Sequence, residues 1–158
     1  RQTMNFERSG AGGFSGAKRY LEQMIDYVKN TSRNGRPLAK DPNTRRKLAE
    51  IFIGAEVGKT LAYKIAWMHQ KGDFAGLITA ASASKLFSTE LAQDLANYST
   101  EIMGLYGQLE EDPHAPLGGF MVDLYQMCKG ATIFAGTNEI QRNLIAWVGL
   151  GLPRLKFK

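Results

Sequence analysis

The chain has 158 residues, 44% of them hydrophobic, with 20 Lys and Arg against 15 Asp and Glu, a formal net charge of +5. That length supports one domain with a real core, and the apolar fraction excludes a disordered chain. Cys128 is the one cysteine, which excludes an intramolecular disulfide and a cysteine-built metal site, and no apolar run reaches the length of a membrane span.

The cations are dispersed, apart from small groups such as Arg45-Arg46-Lys47 and Arg154/Lys156/Lys158. Nucleic-acid binders gather charge on one face, so the pattern reads as a solvated helix surface and argues against that partner. The lone thiol fits a reducing, intracellular setting. Arg1 rather than Met stands first and no secretory signal is seen, so the chain is expected to be a piece of something longer and not secreted.

Five helical stretches are expected. The first runs from roughly Asn5 to Asn30, with Phe14, Ala17, Leu21, Met24 and Val28 at spacings of three and four. Thr31 to Leu38 has turn formers and no periodicity, and reads as a loop. Asp41-Pro42-Asn43-Thr44 opens the second helix, whose stripe is Leu48, Ile51, Ala55, Gly58, Ala62 and Ile65, and which ends near Gly72.

The third covers about Phe74 to Leu105. Its face is Ala80, Ala83, Phe87, Leu91, Leu95, Tyr98, Ile102 and Leu105, and the small residues Ala80-Ala81-Ser82-Ala83-Ser84 let a neighbouring helix pack close. Gly104 and Gly107 close it. Glu110 to Pro116 is an acidic, proline-bearing loop. A fourth helix lies near Gly119 to Ala131 and a fifth near Thr137 to Val148. Trp67 and Trp147 fall on apolar helix faces, where packing is the expected role. His69 and His114 lack partners at metal-ligand spacing, so no metal is expected. Long amphipathic helices with short connections imply an all-α antiparallel bundle.

The break between the last two helices concentrates chemistry. Gly136 permits backbone angles that other residues avoid. Thr137 suits an N-cap, where its hydroxyl accepts from an amide one turn on. The helix it opens is expected to point unpaired N–H groups and a partial positive charge at a phosphate, a carboxylate or an electron-rich cofactor edge.

The run Phe134-Ala135-Gly136-Thr137-Asn138-Glu139-Ile140-Gln141-Arg142-Asn143 resembles the signature near the C-terminus of the flavin-dependent acyl-CoA dehydrogenases. Ser84-Lys85-Leu86-Phe87 through Glu101-Ile102-Met103-Gly104-Leu105-Tyr106-Gly107 resembles the family's third-helix stretch, which ends in a glycine-rich turn. The resemblance covers essentially the whole chain. It implies a four-helix-type bundle with a short extra helix over residues 1–158, the C-terminal domain of a three-domain enzyme.

The implied reaction is α,β-dehydrogenation of an acyl-CoA thioester, with the α-proton passing to a carboxylate and the β-hydride to N5 of FAD. In many members that base precedes the glycine of the Gly-Thr pair. Here Ala135 stands there and cannot accept a proton. A second branch, resembling the isovaleryl-CoA and long-chain enzymes, carries the base on the first helix before an arginine. The matching pair is Glu7-Arg8, which makes Glu7 the expected base and Arg8 a group that positions it or faces the thioester. A base of this kind needs an apolar pocket that raises its pKa. An exposed charge at a helix start is the alternative reading of Glu7.

Gly136 would border the substrate. Thr137 and Glu139 match positions that contact FAD, and Glu101 and Leu105 match those that approach a neighbouring subunit's FAD. The family's Arg-x-x-Phe-Gly element is not cleanly present, and Arg33 or Arg36 would substitute as a charge for the pyrophosphate. The resemblance further implies an electron-transferring flavoprotein or similar acceptor, a homo-oligomer (dimer or tetramer), and the bacterial cytoplasm or mitochondrial matrix. A catalytically inactive helical module, retained for assembly, is the alternative from another class.

Overall fold

A computed structural model describes residues 11–154, with the backbone alone described at residues 11–15 and at Ala75. Helix α1 (Ala11–Asn30) buries Ala17, Leu21, Met24 and Val28 on one face, the stripe read from spacing. Helix α2 (Pro42–Lys71) starts where Asp41 Oδ2 accepts from the Thr44 amide at 2.7 Å, with Pro42 in the first turn. Both features favour a helix start, because the cap satisfies an orphan amide and proline has none to lose.

Gly72, at φ 72°, ends α2 in the left-handed conformation, its amide donating to His69 and that of Asp73 to Met68. Asp73 at once caps helix α3 (Phe74–Met103) by accepting from the Gly76 amide at 2.9 Å. The chain therefore reverses over two residues, and α2 and α3 become antiparallel neighbours. Their approach is close at Gly54, where an added Cβ would lie 2.4 Å from Leu91 Cδ1.

Helix α4 (Phe120–Ala131) completes the four-helix bundle, and the short helix α5 (Asn138–Leu144) follows. The core lies where the four long faces meet, at Leu21, Met24, Ile51, Leu95, Ala96 and Met121. The small-residue half of α3 packs close as expected: Ala81, Ser82 and Ser84 are buried, and Gly149 approaches Thr79 so tightly that a Cβ would sit 2.7 Å from its methyl.

Four expectations need correction. The stretch Thr31–Leu38 is not an unstructured loop. Ser32–Arg33 (β1) pairs antiparallel with Arg36–Pro37 (β2) around Asn34 and Gly35, at φ 51° and 73°, the positive-φ pair that a two-residue hairpin turn demands. The third helix stops at Met103 because Gly104 takes φ 67°, and this turns Leu105 out to 83% exposure. Trp67 is more than half exposed, so the described residues leave it largely uncovered. The last helix is regular only to Leu144 and finishes in one π turn, Ile145–Gly149. Trp147 is half-buried there, with the Arg154 guanidinium 4.6 Å from its ring.

Candidate functional site

The described site residues fall into two groups. The first is the turn Ala135–Glu139. Ala135 has φ 56° and Gly136 φ 88°, and a left-handed alanine costs about 1 kcal/mol that glycine would not. Buried Gln141 holds this strained turn from beneath, its Nε2 donating to the carbonyls of Gly136 (3.2 Å) and Ala135 (3.4 Å). Its Oε1 is buried with no hydrogen-bond partner among the described residues.

Thr137 is the N-cap of α5, its Oγ1 accepting from the Ile140 amide at 3.3 Å. Three amides at the helix start, that of Ile140 included, are however already taken. The Asn138 amide donates to the Thr132 carbonyl and that of Gln141 to Thr137. The Glu139 carboxylate folds back onto its own amide and takes the Thr137 hydroxyl, and these bonds hold its pKa below the usual glutamate range. An anion already sits at the positive end of α5, so a phosphate would meet a like charge there. The exposed side chains of Ile133 and Phe134 give the same turn an apolar border. Apolar surface beside a hydroxyl and a carboxylate suits a flat heteroaromatic ring with polar edges.

Asn138, which precedes Glu139, points inward and is buried. Its Oδ1 accepts from Lys85 Nζ at 2.8 Å and lies 3.1 Å from Thr89 Oγ1. Burial lowers the pKa of the Lys85 ammonium, and the charge of Glu139 opposes that fall. Arg142 pairs with Glu90 and ties α5 to α3 a second time.

The second group sits at the end of α3. Arg33 Nη2 donates to the carbonyl of Ile102 at 2.5 Å, a cation on the partly negative C-terminus of a helix. Glu101 is mostly exposed and pairs with Lys47, which is itself buried and lies over the Tyr98 ring at 5.3 Å. A groove of about 630 Å³ runs past Arg33, Arg36, Lys40 and Asp41. Its three cations outnumber the one carboxylate, and that excess fits a diphosphate better than the α5 turn does. From Thr89, beside Asn138, to Ile102 the axis of α3 rises about 20 Å. One protomer therefore brings Gly136, Thr137 and Glu139 together, and separately Arg33 and Glu101, but does not converge the two groups on one small ligand.

Glu7 and Arg8 lie outside the described residues. Spacing alone missed Lys85, Asn138 and Gln141. The only hint was that Asn138 and Gln141 stand three apart, on one face of a helix. Among the described residues no cluster of three His, Cys, Asp or Glu could hold a metal, and no helix is long and apolar enough to cross a membrane. Burial pushes the Cys128 thiol up, which leaves it unreactive.

Residues 1–150 match the family described as acyl-CoA dehydrogenase, C-terminal domain. The chain belongs to that family. It is 34% identical over 137 residues to the acyl-CoA dehydrogenase FadE26 of Mycobacterium tuberculosis, covering 85% of this chain and 34% of that protein. The fold matches one chain of the ChsE4–ChsE5 complex from Mycobacterium tuberculosis, with a TM-score of 0.78 and 31% identity over 91% of this chain and 36% of that one. It also matches the Tcur3481–Tcur3483 steroid ACAD, with a TM-score of 0.83 and 29% identity over 96% of this chain and 38% of that one. The chain thus spans about a third of the length of the relatives it matches.

Proposed function

We propose that this chain forms the helical C-terminal part of an FAD-dependent acyl-CoA dehydrogenase that introduces a double bond between Cα and Cβ of an acyl-CoA thioester. The observation that carries the reading is the match of residues 1–150 to that domain. In the reaction the Glu7 carboxylate takes the α-proton and the β-hydrogen departs with its electron pair. FAD, when bound, supplies the hydride acceptor. Arg8 orients Glu7 or faces the thioester, and Gly136 borders the substrate.

Thr137 and Glu139 would hold the polar edge of the cofactor, a role their hydroxyl and carboxylate suit. Arg33, with Arg36 and Lys40 in the same groove, serves the diphosphate. Together with Glu101 it addresses the FAD of a neighbouring subunit, a reading that the separation of about 20 Å along α3 between this end and the Thr137 turn allows. Assembly with further subunits, as a homo-oligomer of two or four, is consistent with apolar side chains left on the outside of α2, among them Phe52, Ile53, Val57 and Trp67. Electrons then leave to an electron-transferring flavoprotein or similar acceptor, in the bacterial cytoplasm or the mitochondrial matrix.

The test is Glu7→Gln in the full-length enzyme. Dehydrogenation is expected nearly to vanish while flavin absorbance survives gel filtration, because the amide keeps the shape and loses the base. Undiminished turnover would refute the role of Glu7.

A further inference from the structure

We propose that Lys85 is a positioning residue, whose buried ammonium tethers Asn138 and so fixes the strained Ala135–Thr137 turn from its buried inner side. Three observations carry this inference. First, Lys85 is buried at 6% exposure, and no carboxylate pairs with it among the described residues. Glu139 acts on it only through its field, and a buried cation with no ion pair of its own is costly, so an aliphatic residue of similar length would stabilise the bundle better if packing were all that mattered.

Second, the acceptor it meets is specific. Asn138 Oδ1 lies 2.8 Å from Lys85 Nζ. The other candidate donor, Thr89 Oγ1, has one proton and also lies 3.0 Å and 3.1 Å from the carbonyls of Lys85 and Leu86. Lys85 is therefore the donor on which Asn138 depends, and the bond is charge-assisted, the stronger kind.

Third, Asn138 follows directly on the residues that need holding. Ala135 and Gly136 are both at positive φ, and such conformations persist when their surroundings over-determine them. Gln141 grips the two carbonyls, and Lys85 grips the first residue of α5. The turn is pinned on its inner side by two buried groups, while Phe134, Ala135 and Glu139 remain exposed on its outer side. The link from this tether to flavin rests on the functional reading above; the tether itself does not.

The experiment compares Lys85→Met, Asn138→Ala and Asn138→Asp with the parent, each in the full-length protein. Two quantities are read: amide hydrogen exchange across residues 137–141, and FAD affinity by flavin fluorescence. Lys85→Met and Asn138→Ala should each speed exchange in the turn about tenfold and weaken FAD binding about tenfold, the effect of losing one charge-assisted bond. Exchange in the middle of α3 and α4 should stay as in the parent. Asn138→Asp keeps an acceptor for the ammonium and should preserve both quantities.

Unchanged exchange in the turn would overturn the proposal, as would exchange rising equally throughout the bundle. Faster exchange in the turn with unaltered FAD affinity would overturn the role toward the cofactor. Should Lys85→Met fail to fold, Asn138→Ala reads the same tether from its other end. A parent protein that binds no FAD would sink the functional reading, while the exchange data would still decide the tether.

Discussion

Replacing Thr137 by alanine removes two bonds at once. Oγ1 accepts from the Ile140 amide at 3.3 Å, and the hydroxyl proton goes to the Glu139 carboxylate. The first bond is long and exposed, so its loss should cost no more than the typical N-cap value, about 1 kcal/mol. That corresponds to about a fivefold loss of protection for the amides of α5. The second bond is titratable. Glu139 has a folded pKa below its ordinary value, so its stabilisation is complete above the unfolded pKa. It is lost as pH falls through the folded one. Acid should therefore loosen α5 in the parent, and less so in Thr137→Ala, where the hydroxyl that helps hold the carboxylate is gone. Native-state amide exchange, corrected for the intrinsic rate at each pH, reads both effects locally, so the unfolding of the rest of the chain does not enter. Thr137→Ser should restore protection at neutral pH. The reasoning fails if protection of Ile140–Leu144 is unchanged in Thr137→Ala, or if the two proteins lose protection alike in acid.

Two further substitutions probe the scaffold. At Gly119→Ala, an added Cβ would stand 2.5 Å from the Glu110 carbonyl oxygen and 2.9 Å from its Cα, at a residue with φ 78°. Left-handed strain and backbone overlap together should destabilise by about 2–4 kcal/mol in denaturant unfolding, and a loss under about 1 kcal/mol would contradict the stated contact. Met24→Ala empties a side chain that is fully buried among the four long helices. It should cost about 2–5 kcal/mol by the same measurement, whereas exposed Met127→Ala, with 62% exposure, should change stability little.

Helix positions were legible wherever a local rule set them. Asp41 before Pro42, the Gly72-Asp73 reversal and Gly104 after Met103 each act within a few residues, and the structure uses all of them. The apolar stripe of α2 was legible too: Ile51, Ala55, Gly58 and Ile65 are buried. The hairpin at Asn34-Gly35 leaves a weaker trace in the sequence. Its strands are two residues each, too short to show alternation, so only the turn pair carried the signal. Periodicity placed Leu105 and Trp67 inward because it assumes that a helix continues and that every apolar face is covered within one chain. Gly104 breaks the first assumption, and the half-exposed Trp67 breaks the second. At the site, residue types identified the Thr137 cap and the absence of a base at Ala135. They gave no warning that Glu139 would fold back over the helix start, or that Lys85 would reach across from α3. The Glu139 contact is local but depends on one rotamer, while the Lys85 contact joins residues 53 positions apart and depends on how α5 lies against α3.

The self-satisfied start of α5 bears on where a dinucleotide can lie. With Glu139 held as an anion against its own amide, the Thr137 turn offers a hydroxyl, a carboxylate and apolar surface, but no net positive charge facing outward. The cationic groove of Arg33, Arg36 and Lys40 lies at the other end of the same helix. A ligand with an uncharged ring at one end and a diphosphate at the other has its two halves separately matched by these two surfaces. About 20 Å of α3 lies between them. Two arrangements satisfy that separation: one extended ligand running the length of α3, or two ligands, each taking its ring site from one subunit and its diphosphate site from the next. A subunit contact just beyond the end of α3 would also cover the exposed Leu105 and Tyr106. Lys85 and Gln141 hold the Thr137 turn from within, and Arg33 ties the hairpin to the C-terminal end of α3; under the proposed function these two surfaces are the halves of a shared site.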